Sequence, residues 1–311
     1  MYTFIDIFAG IGGFRVALEK KGMKCVFSSE IDPFAKEVYR ANFGEEPHGD
    51  ITEINEKNIP KHDVLCAGFP CQSFSISGKQ GGLQDNRGRL FYEVVRIANY
   101  HQPYILLLEN VKNLLTVDNG RVIKTIETKL DEIGYRIDYS TLNASHYGIP
   151  QSRERVYFAC VRKDLKSPEG LQYKEPKPNF KHIYLESILE DVVSEKLFID
   201  REDIVIEREV TKHALKPLRV GYVNKGGQGE RIYSPLGHAI TLSANGGGAG
   251  ARTGLYLIDN RIRRLSKTEC KRLMGFPDSH IISAGNQGYK QLGNAVIPTM
   301  IEQVYDSIVV V

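Results

Sequence analysis

The first half of the chain alternates short apolar runs with segments that have helical spacing. The apolar, strand-like runs cover residues 2–8, 24–29, 63–68, 104–108, 137–142 and 156–161, and the helical patterns cover 14–21, 34–42, 90–100 and 121–133. Helices that separate successive strands favour right-handed βαβ units and a mostly parallel sheet. We therefore predict an α/β fold with a Rossmann-like sheet for this part of the chain.

The pattern changes after about residue 167. Pro, Lys and Glu crowd residues 168–181, and residues 221–254 are Gly-rich and irregular. Residues 294–311 are apolar and periodic, which predicts a helix that returns to the first domain. We expect a catalytic and cofactor-binding domain at 1–183, completed by 286–311. A smaller, irregular domain with its hinge should occupy 184–285.

Composition narrows the class of protein. No run of 18 uncharged apolar residues occurs, so we expect no membrane span, and the N-terminus lacks the basic region of a cleaved signal. Five cysteines without metal-ligand spacing indicate free thiols in a reducing cytoplasm and no metal site. The formal net charge is only +3, but seven Lys/Arg fall within 252–272. That stripe predicts either phosphate contacts or a solvated face.

Cys71 is the strongest candidate for chemistry. It follows the apolar run 63–68, and Pro70 stiffens the turn that presents it. Ligands of open α/β sheets bind at the carboxyl ends of strands, where this thiol should lie. The other cysteines in apolar runs are expected to fill space in the core. A free thiol is only about 3% ionised at neutral pH, so Cys71 would need activation as a nucleophile.

The Gly-rich turn 8–13 follows the first strand and opens a helix. Glycines let the backbone approach a ligand closely, and a helix N-terminus offers free N–H groups to an anion. Glu30 ends the second strand, where a carboxylate suits ribose hydroxyls, and Asp50 and Ile51 could reach an adenine. The spacing is not GxGxxG, which favours a smaller adenosyl ligand over a dinucleotide. A plain tight turn is the alternative.

Two further positions in the sequence carry charged residues that could take part in chemistry. Glu109 leaves the most apolar strand, and partial desolvation there favours a proton donor, although a simple turn cap is the alternative. Arg153 and Arg155 should share one face of a strand and could hold an anionic or carbonyl-bearing substrate. A surface ion-pair ladder would explain them equally well.

Together these stations suit C5 methylation of a pyrimidine. A thiolate would add to the ring, a carboxylic acid would hydrogen-bond the ring nitrogen, and arginines would hold the ring carbonyl. The ordered motifs FAGIGGF, GFPCQSFS, ENV, QSRER and QLGNAV resemble those of DNA (cytosine-5) methyltransferases of bacterial restriction–modification systems. The resemblance spans essentially the whole chain and is greatest to members that modify the inner cytosine of GCGC.

The resemblance implies roles for individual residues. Cys71 would attack C6 of a cytosine flipped out of the duplex, Glu109 would contact N3, and Arg153 and Arg155 would orient the base. It also implies a Rossmann-like, S-adenosylmethionine-dependent fold with a target-recognition domain. The cofactor contacts implied are Phe8, Gly10, Ile11, Gly13, Glu30, Ile31, Asp50, Ile51, Gly68, Pro70, Leu90, Asn294 and Val296.

The DNA contacts are implied in the same way. They are Ser75, Ser77, Gln228, Arg231, Tyr233, Thr241, Ser243 and Asn245, and residues 72–89 resemble the loop that closes over the DNA. Gln228 would pair with the orphan guanine, with Ser77 entering from the opposite side, and Arg231 would read a guanine O6/N7 edge. Ile31 and Asn245 stand where the family has aromatic residues, which predicts weaker adenine stacking and an altered reading of the outer base pair.

The resemblance implies a cytoplasmic monomer that acts on double-stranded DNA and yields S-adenosylhomocysteine. A cognate restriction endonuclease is a possible functional partner. Two rivals stay open at this point: a tRNA cytosine-5 methyltransferase, and a non-catalytic DNA-binding protein on a decayed enzyme scaffold. An NAD-dependent dehydrogenase is remote, because it leaves Cys71 and the arginine pair without roles. The sequence leaves open the exact recognition site and the base that removes the C5 proton.

Overall fold

A computed structural model describes residues 1–69, 89–165 and 171–310 of the chain. By compactness the chain divides into two units. The first unit comprises Met1–Leu142, Glu154–Lys177 and Pro298–Val311, and the second comprises Asn143–Arg153 and Pro178–Ile297. These units do not coincide with the division predicted at residues 183 and 286, which stays a prediction about functional domains.

A six-stranded sheet forms the centre of the first unit. Its strands are β1 (Thr3–Asp6), β2 (Lys24–Ser28), β3 (Val64–Ala67), β4 (Ile105–Val111), β5 (Tyr135–Asn143) and β6 (Glu154–Arg162). They lie in the order β2-β1-β3-β4-β6-β5; β2, β1, β3 and β4 run parallel, and β6 runs antiparallel to β4. The α/β prediction is therefore confirmed, and the carboxyl ends of four neighbouring strands meet at one edge.

Seven α-helices lie in the described part of the chain. They are α1 (Gly13–Lys20), α2 (Pro33–Phe43), α3 (Arg89–His101), α4 (Arg121–Glu132), α5 (Lys267–Leu273), α6 (Gly285–Asn294) and α7 (Pro298–Asp306). Local chemistry explains their bounds: Pro33 occupies the first turn of α2, and the Asp32 carboxylate accepts the Phe34 N–H at 2.9 Å. The same helix ends at Gly44, which has a left-handed φ of 73°.

The core of the first unit lies along the strands. All four residues of β3 are buried, as expected for a strand covered on both faces. Helix α7 returns to this unit and packs on α1, where Lys20 and Lys21 pair with Glu302 and Asp306. A returning C-terminal helix was predicted over 294–311, but the helix covers only Pro298–Asp306 and is followed by a short strand at Ile308–Val310.

The second unit has a smaller sheet and core. In the described residues, the strands that follow β6 along the chain are β7 (Leu171–Tyr173), β8 (Val205–Ile206), β9 (Leu218–Tyr222), β10 (Arg231–Ser234), β11 (Leu255–Ile258), β12 (Arg261–Arg263) and β13 (Ile308–Val310). The order β12-β11-β10-β9-β8 forms the sheet of the second unit, whereas β7 pairs with β13 in the first. Along the described ranges, no helix is long and apolar enough to cross a membrane.

Candidate active site

The Gly-rich turn links β1 to α1 at the edge where the parallel strands end. Gly10 and Gly12 have φ values of +53° and +88°, a region that favours glycine. A Cβ added to Gly12 would lie 2.3 Å from the Phe43 ring, so this position also requires the smallest residue. Helix α1 has no side-chain N-cap, which leaves its first N–H groups to be satisfied by other partners.

Glu30 is held against this turn by the backbone. Its Oε2 accepts the Gly10 N–H at 2.7 Å, and its Oε1 accepts the N–H groups of Ile31 and Asp32, each at 2.8 Å. An ionised carboxylate has about four acceptor sites, so three bonds fix its orientation and still leave capacity for a ligand hydroxyl. The neighbouring Ile31 side chain is 68% exposed, as a residue that covers a bound ring would be.

The segment with Asp50 and Ile51 lies beside the end of β2. Ser29 and His48 form a parallel bridge, and the Glu30 N–H donates to His48 O at 3.0 Å. Asp50 Oδ1 accepts both the N–H and the hydroxyl of Thr52, while Ile51 is buried beneath. The Gly-rich turn, Glu30 and the segment with Asp50 and Ile51, all predicted to contact the cofactor, therefore lie together in the first unit. Phe8, Ile11 and Gly13 are on the turn itself.

Asp6 is a buried acid at this edge that the sequence reasoning did not single out. It ends β1, its exposure is 0%, and neither carboxylate oxygen makes a hydrogen bond of normal geometry with the described residues. Burial first, and the charge of Glu30 second, raise its pKa to about 8, against the opposing effects of the Phe8 N–H and Arg15. The available signal was an acidic residue inside the run Phe-Ile-Asp-Ile-Phe.

The chain that leads to Cys71 is anchored at Phe69. Its ring is buried and lies 5.7 Å from the Phe91 ring, and its carbonyl accepts the Asn110 side-chain N–H at 2.8 Å. Asn110 therefore ties the end of β4 to the segment after β3. The predicted residues Pro70, Cys71, Ser75 and Ser77, and loop residues 72–88, lie outside the described residues.

The remaining four cysteines are all buried, free thiols, which confirms the space-filling role predicted for three of them. Burial raises the pKa of Cys25 to about 11 and raises the pKa values of Cys66, Cys160 and Cys270 as well. A buried, protonated thiol is a poor nucleophile. None of these four side chains is therefore suited to attack a substrate.

Glu109 and Arg155 meet as an ion pair. Arg155 Nε lies 3.3 Å from Glu109 Oε1, and the two side chains are 15% and 11% exposed. Strand pairing explains the contact, because Glu109 is on β4 and Arg155 enters the adjacent antiparallel strand β6. The carboxyl group lies one residue beyond Leu108, which pairs with Ala67 near the end of β3. Gly68 follows Ala67 directly.

Arg153 does not share a strand face with Arg155, so the prediction of strand alternation was wrong for this residue. Strand β6 begins only at Glu154, and Arg153 is 3% exposed within the second unit. Its guanidinium donates to the carbonyls of Leu242, Gly293 and Ala295 at 3.4, 3.1 and 3.1 Å. Buried carbonyls need partners, and Arg supplies several donors from one position, which explains this placement.

The predicted DNA contacts that are described lie in the second unit. They occupy two loops and the strand between them: Gln228, Arg231, Tyr233, Thr241, Ser243 and Asn245. Gln228, Arg231 and Asn245 are exposed, whereas the Thr241 hydroxyl donates to Ser152 O. The two loops interlock through the Gly250 N–H bond to Gly229 O at 2.7 Å. Asn294, which ends α6, and Val296 also belong to this unit.

The basic stripe at 252–272 is engaged within the protein. All seven side chains bond to acceptors of the second unit: Arg252, Arg261, Arg263, Arg264, Lys267, Lys271 and Arg272. Arg263, for example, is buried against Glu269. These bonds give the stripe a structural role, and the phosphate contacts considered from sequence stay a prediction, since the side chains of Arg261 and Arg272 remain partly exposed. Across ranges 1–69, 89–165 and 171–310, no cluster of three or more His, Cys, Asp or Glu could hold a metal.

Comparison with known proteins agrees with this geometry. Residues 2–310 match the C-5 cytosine-specific DNA methylase family. The chain is 49% identical to the type II methyltransferase M.HhaI of Haemophilus parahaemolyticus, over 97% of this chain and 92% of that protein. It is 40% identical to the type II methyltransferase M.HpaII of Haemophilus parainfluenzae, over 95% and 86%.

Solved structures share the fold at lower identity. The S. pombe Dnmt2 methyltransferase matches with a TM-score of 0.76 and 18% identity, over 98% of this chain and 97% of that one. The Entamoeba histolytica methyltransferase EhMeth matches with a TM-score of 0.76 and 21% identity, over 99% and 97%. At this identity they support only the fold, and the predicted Rossmann-like methyltransferase fold is confirmed.

Proposed function

Because the chain belongs to the C-5 cytosine-specific DNA methylase family, we propose that it methylates a flipped cytosine in a specific duplex site through a covalent Cys71–C6 bond. The target is the inner cytosine of GCGC. The methylation protects DNA within a restriction–modification system of the cytoplasm, with a cognate endonuclease as functional partner. The enzyme acts as a monomer and without a metal.

The residues at the edge of the first unit fit S-adenosylmethionine. The Glu30 carboxylate, fixed by three backbone N–H groups, suits a ribose diol, and the uncapped start of α1 suits a carboxylate. A positively charged ligand such as this cofactor would favour ionisation of the Asp6 carboxyl under the turn, which burial otherwise keeps largely protonated at neutral pH. When bound, the cofactor supplies the methyl group. The adenine would lie by Ile31, Asp50 and Ile51.

The remaining proposed cofactor contacts follow from the family motifs. They are Phe8, Gly10, Ile11, Gly13, Gly68, Pro70, Leu90, Asn294 and Val296. Among these, Gly10 is already committed to Glu30, so its role is to orient that carboxylate rather than to donate to the ligand. The division into a catalytic domain at 1–183 with 286–311 and a recognition domain at 184–285 belongs to the same proposal.

The Glu109–Arg155 pair carries the chemical part of the proposal. A carboxyl group at the strand edge can hydrogen-bond cytosine N3 and give it a proton, which makes C6 electrophilic enough for Cys71 Sγ. Arg155 holds Glu109 in place, and in this proposal it also binds the cytosine O2. Addition of Sγ to C6 makes C5 nucleophilic, and loss of the C5 proton after methylation releases Sγ and restores the aromatic ring.

Arg153 acts at a distance in this scheme. Its three bonds to carbonyl groups make it a positioning residue for the loop that contains Thr241, Ser243 and Asn245, rather than a contact to cytosine. Base reading then falls to the exposed Gln228 and Arg231, with Tyr233, Thr241, Ser243 and Asn245 nearby and Ser75 and Ser77 on the catalytic loop. A bidentate Arg–guanine contact is worth about 1–3 kcal/mol of discrimination.

The decisive experiment compares two cysteine variants. Cys71→Ser should abolish transfer of labelled methyl groups to a GCGC duplex and abolish covalent trapping on 5-fluorocytosine DNA, while duplex binding persists. Cys25→Ser is the matched control, because Cys25 is a buried core thiol whose loss should leave both signals intact. Methyl transfer by Cys71→Ser at the wild-type rate would overturn the nucleophile assignment.

The same assay separates the rivals. Methylated tRNA with inert DNA would favour the RNA methyltransferase, and a wild-type protein that binds DNA but never traps fluorocytosine would favour the decayed scaffold. Bisulfite sequencing of random-sequence DNA treated with enzyme and cofactor should show conversion-resistant cytosines only within GCGC. A different protected motif would leave the chemistry intact and correct the site.

A further inference from the structure

A solvent-exposed polar network adjoins the first recognition loop, Lys225–Gly229. Asn224 is at its centre: its side-chain N–H donates to Glu230 Oε1 at 2.8 Å, and its side-chain oxygen accepts Arg201 Nη2 at 2.7 Å. Asp203 holds the same residue from another side, because it accepts the Asn224 backbone N–H at 2.9 Å and both Arg201 nitrogens at 2.7 and 2.8 Å. These four residues form one connected set.

The network reaches the loop itself through Glu230. Its Oε2 accepts the Gly227 N–H at 2.8 Å, so the carboxylate links the residue after the loop to the middle of the loop. This backbone bond first, and Asn224 second, lower the pKa of Glu230, and Arg201 lowers the pKa of Asp203 to about 2. Both acids are therefore ionised across the neutral range, as their roles as acceptors require.

The composition of the loop makes such support necessary. Three of its five residues are glycines, at positions 226, 227 and 229, and glycine loses more backbone freedom on ordering than any other residue. The far end of the loop is held where the Gly250 N–H bonds to Gly229 O. The near end has the Gly226 N–H bond to Val223 O and the network of Asn224. Gln228 is presented, exposed, between these two anchors.

Asn224 also has an unusual backbone conformation. Its φ is +48°, a left-handed value that Asn and Asp tolerate better than other non-glycine residues. The conformation turns its backbone N–H toward Asp203 while its side chain spans Arg201 and Glu230. The residue is thus both the turn at the loop entrance and the hub of the network.

Arg231, the proposed guanine reader, is fixed to the same loop. Its Nε donates to Gly226 O at 3.2 Å, which uses one of its five donors and ties the guanidinium to the loop backbone. Any change in the position of Gly226 or Gly227 is therefore passed to Arg231 as well as to Gln228. Both proposed readers depend on one loop conformation.

We propose that Arg201, Asp203, Asn224 and Glu230 are positioning residues for base recognition, which rests on the reading role proposed above for Gln228 and Arg231. They hold the Lys225–Gly229 loop in its reading conformation before DNA arrives. The loop is then ordered before DNA binds. The binding free energy of the base contacts is therefore not reduced by the entropy cost of ordering a glycine-rich loop. Sequence discrimination, rather than binding to DNA in general, depends on the network.

The test replaces one atom of the hub. Asn224→Asp keeps the size and the left-handed tolerance of the residue, but it removes the donor to Glu230 and sets two carboxylates against each other. If only a tenth of the loops keep the reading conformation, the apparent affinity of the specific contacts falls about tenfold. The discrimination ratio is kcat/KM for a GCGC duplex divided by kcat/KM for a duplex in which one base pair next to the target cytosine, within the GCGC site, is substituted. We expect this ratio to fall roughly tenfold.

A swapped pair supplies the rescue. In the double variant Asn224→Asp with Glu230→Gln, the new amide can donate to the new carboxylate and still accept the Gly227 N–H. Discrimination should return to within about threefold of wild type, because the bond between residues 224 and 230 forms again in the reverse direction and the other bonds are kept. A structural defect of general kind would instead grow with the second substitution.

Glu195→Gln is the matched control, since Glu195 makes an exposed, two-point pair with Arg261 in the same unit but away from this network. It should leave discrimination unchanged, and all three variants should bind nonspecific DNA as wild type does. Equal discrimination by wild type and Asn224→Asp, or a double variant no better than the single one, would overturn the inference. A wild type that methylates no DNA would instead refute the proposed function.

Discussion

Two buried carboxyl groups, one in each unit, have opposite surroundings. Asp6 ends β1 beneath the Gly-rich turn, fully buried, and neither of its oxygens has a hydrogen-bond partner of normal geometry among the described residues. Glu269 is equally buried in the second unit, yet it accepts bonds from the Glu190 N–H, the Ser266 N–H and both terminal nitrogens of Arg263.

The difference indicates a functional role for Asp6 and a structural role for Glu269. A buried polar group without partners is costly, and such groups in folded proteins call for an explanation such as a ligand or a functional strain. Asp6 lies where the proposed cofactor residues meet, so its cost is consistent with a role at that edge. Glu269 also completes the capping box of α5 with Ser266, and its bonds serve the structure of the second unit alone.

The largest expected effect concerns Asp6 and pH. Its pKa is raised from 3.8 to about 8, so between these values the folded protein keeps a proton that the unfolded chain releases. Stability is therefore fully present below about pH 4, falls as the pH rises to about 8, and then levels off. Asp6→Asn should reduce the difference in unfolding free energy between pH 5 and pH 8.5 by about 4 kcal/mol.

Urea unfolding of the ligand-free protein at the two pH values measures this difference. Asp131→Asn is the control, because that carboxylate is exposed on the surface and pairs with Lys163. An Asp6→Asn variant with the same pH dependence as wild type would show that Asp6 is not the group responsible.

The second prediction removes the charge from the well-bonded acid. Glu269→Gln keeps the shape of the side chain but leaves the Arg263 guanidinium buried without a counter-charge. Loss of one partner of a buried pair is strongly destabilising, and we expect about 3 kcal/mol. Chemical denaturation followed by a probe in the second unit would measure it. Unchanged stability would mean that hydrogen bonding, rather than charge, satisfies Arg263.

The third prediction returns to the first unit, where Glu109 is both partnered and placed for chemistry. Glu109→Gln keeps the burial but removes the ionisable carboxyl group, so kcat for methyl transfer should fall by about 100-fold or more. Binding of S-adenosylhomocysteine should be unchanged, which separates lost chemistry from lost folding. A variant with near wild-type kcat would remove Glu109 from the mechanism.

The smallest expected effect is at a surface pair of the first unit. Lys20 and Glu302 join α1 to α7 at 2.8 Å, with Lys20 largely exposed. Glu302→Gln should change stability by less than about 1 kcal/mol, and less still at high salt. Thermal unfolding at low and high salt would test this. A cost as large as that of Glu269→Gln would show that burial does not decide how much an ion pair contributes to the stability of this protein.

The sequence by itself determined the elements of the first unit and the location of its chemistry. Apolar runs and helical spacing predicted β1 to β4 and the helices between them, because each pattern reports which face of a local element is buried. The Gly turn and Glu30 lie just beyond strand ends, Glu109 lies near the end of β4, and parallel strands bring such ends together. The placement of these residues needed no knowledge of distant contacts.

Only the tertiary structure decided where side chains with long-range partners lie. Arg153 and Arg155 are two residues apart, yet one binds the Leu242, Gly293 and Ala295 carbonyls of the second unit and the other pairs with Glu109. The basic stripe at 252–272 was equally ambiguous, since most of its acceptors lie on other segments of the chain. A guanidinium carries the same charge in a phosphate site and in a buried clamp, and its role depends on which acceptors the fold brings within hydrogen-bond distance.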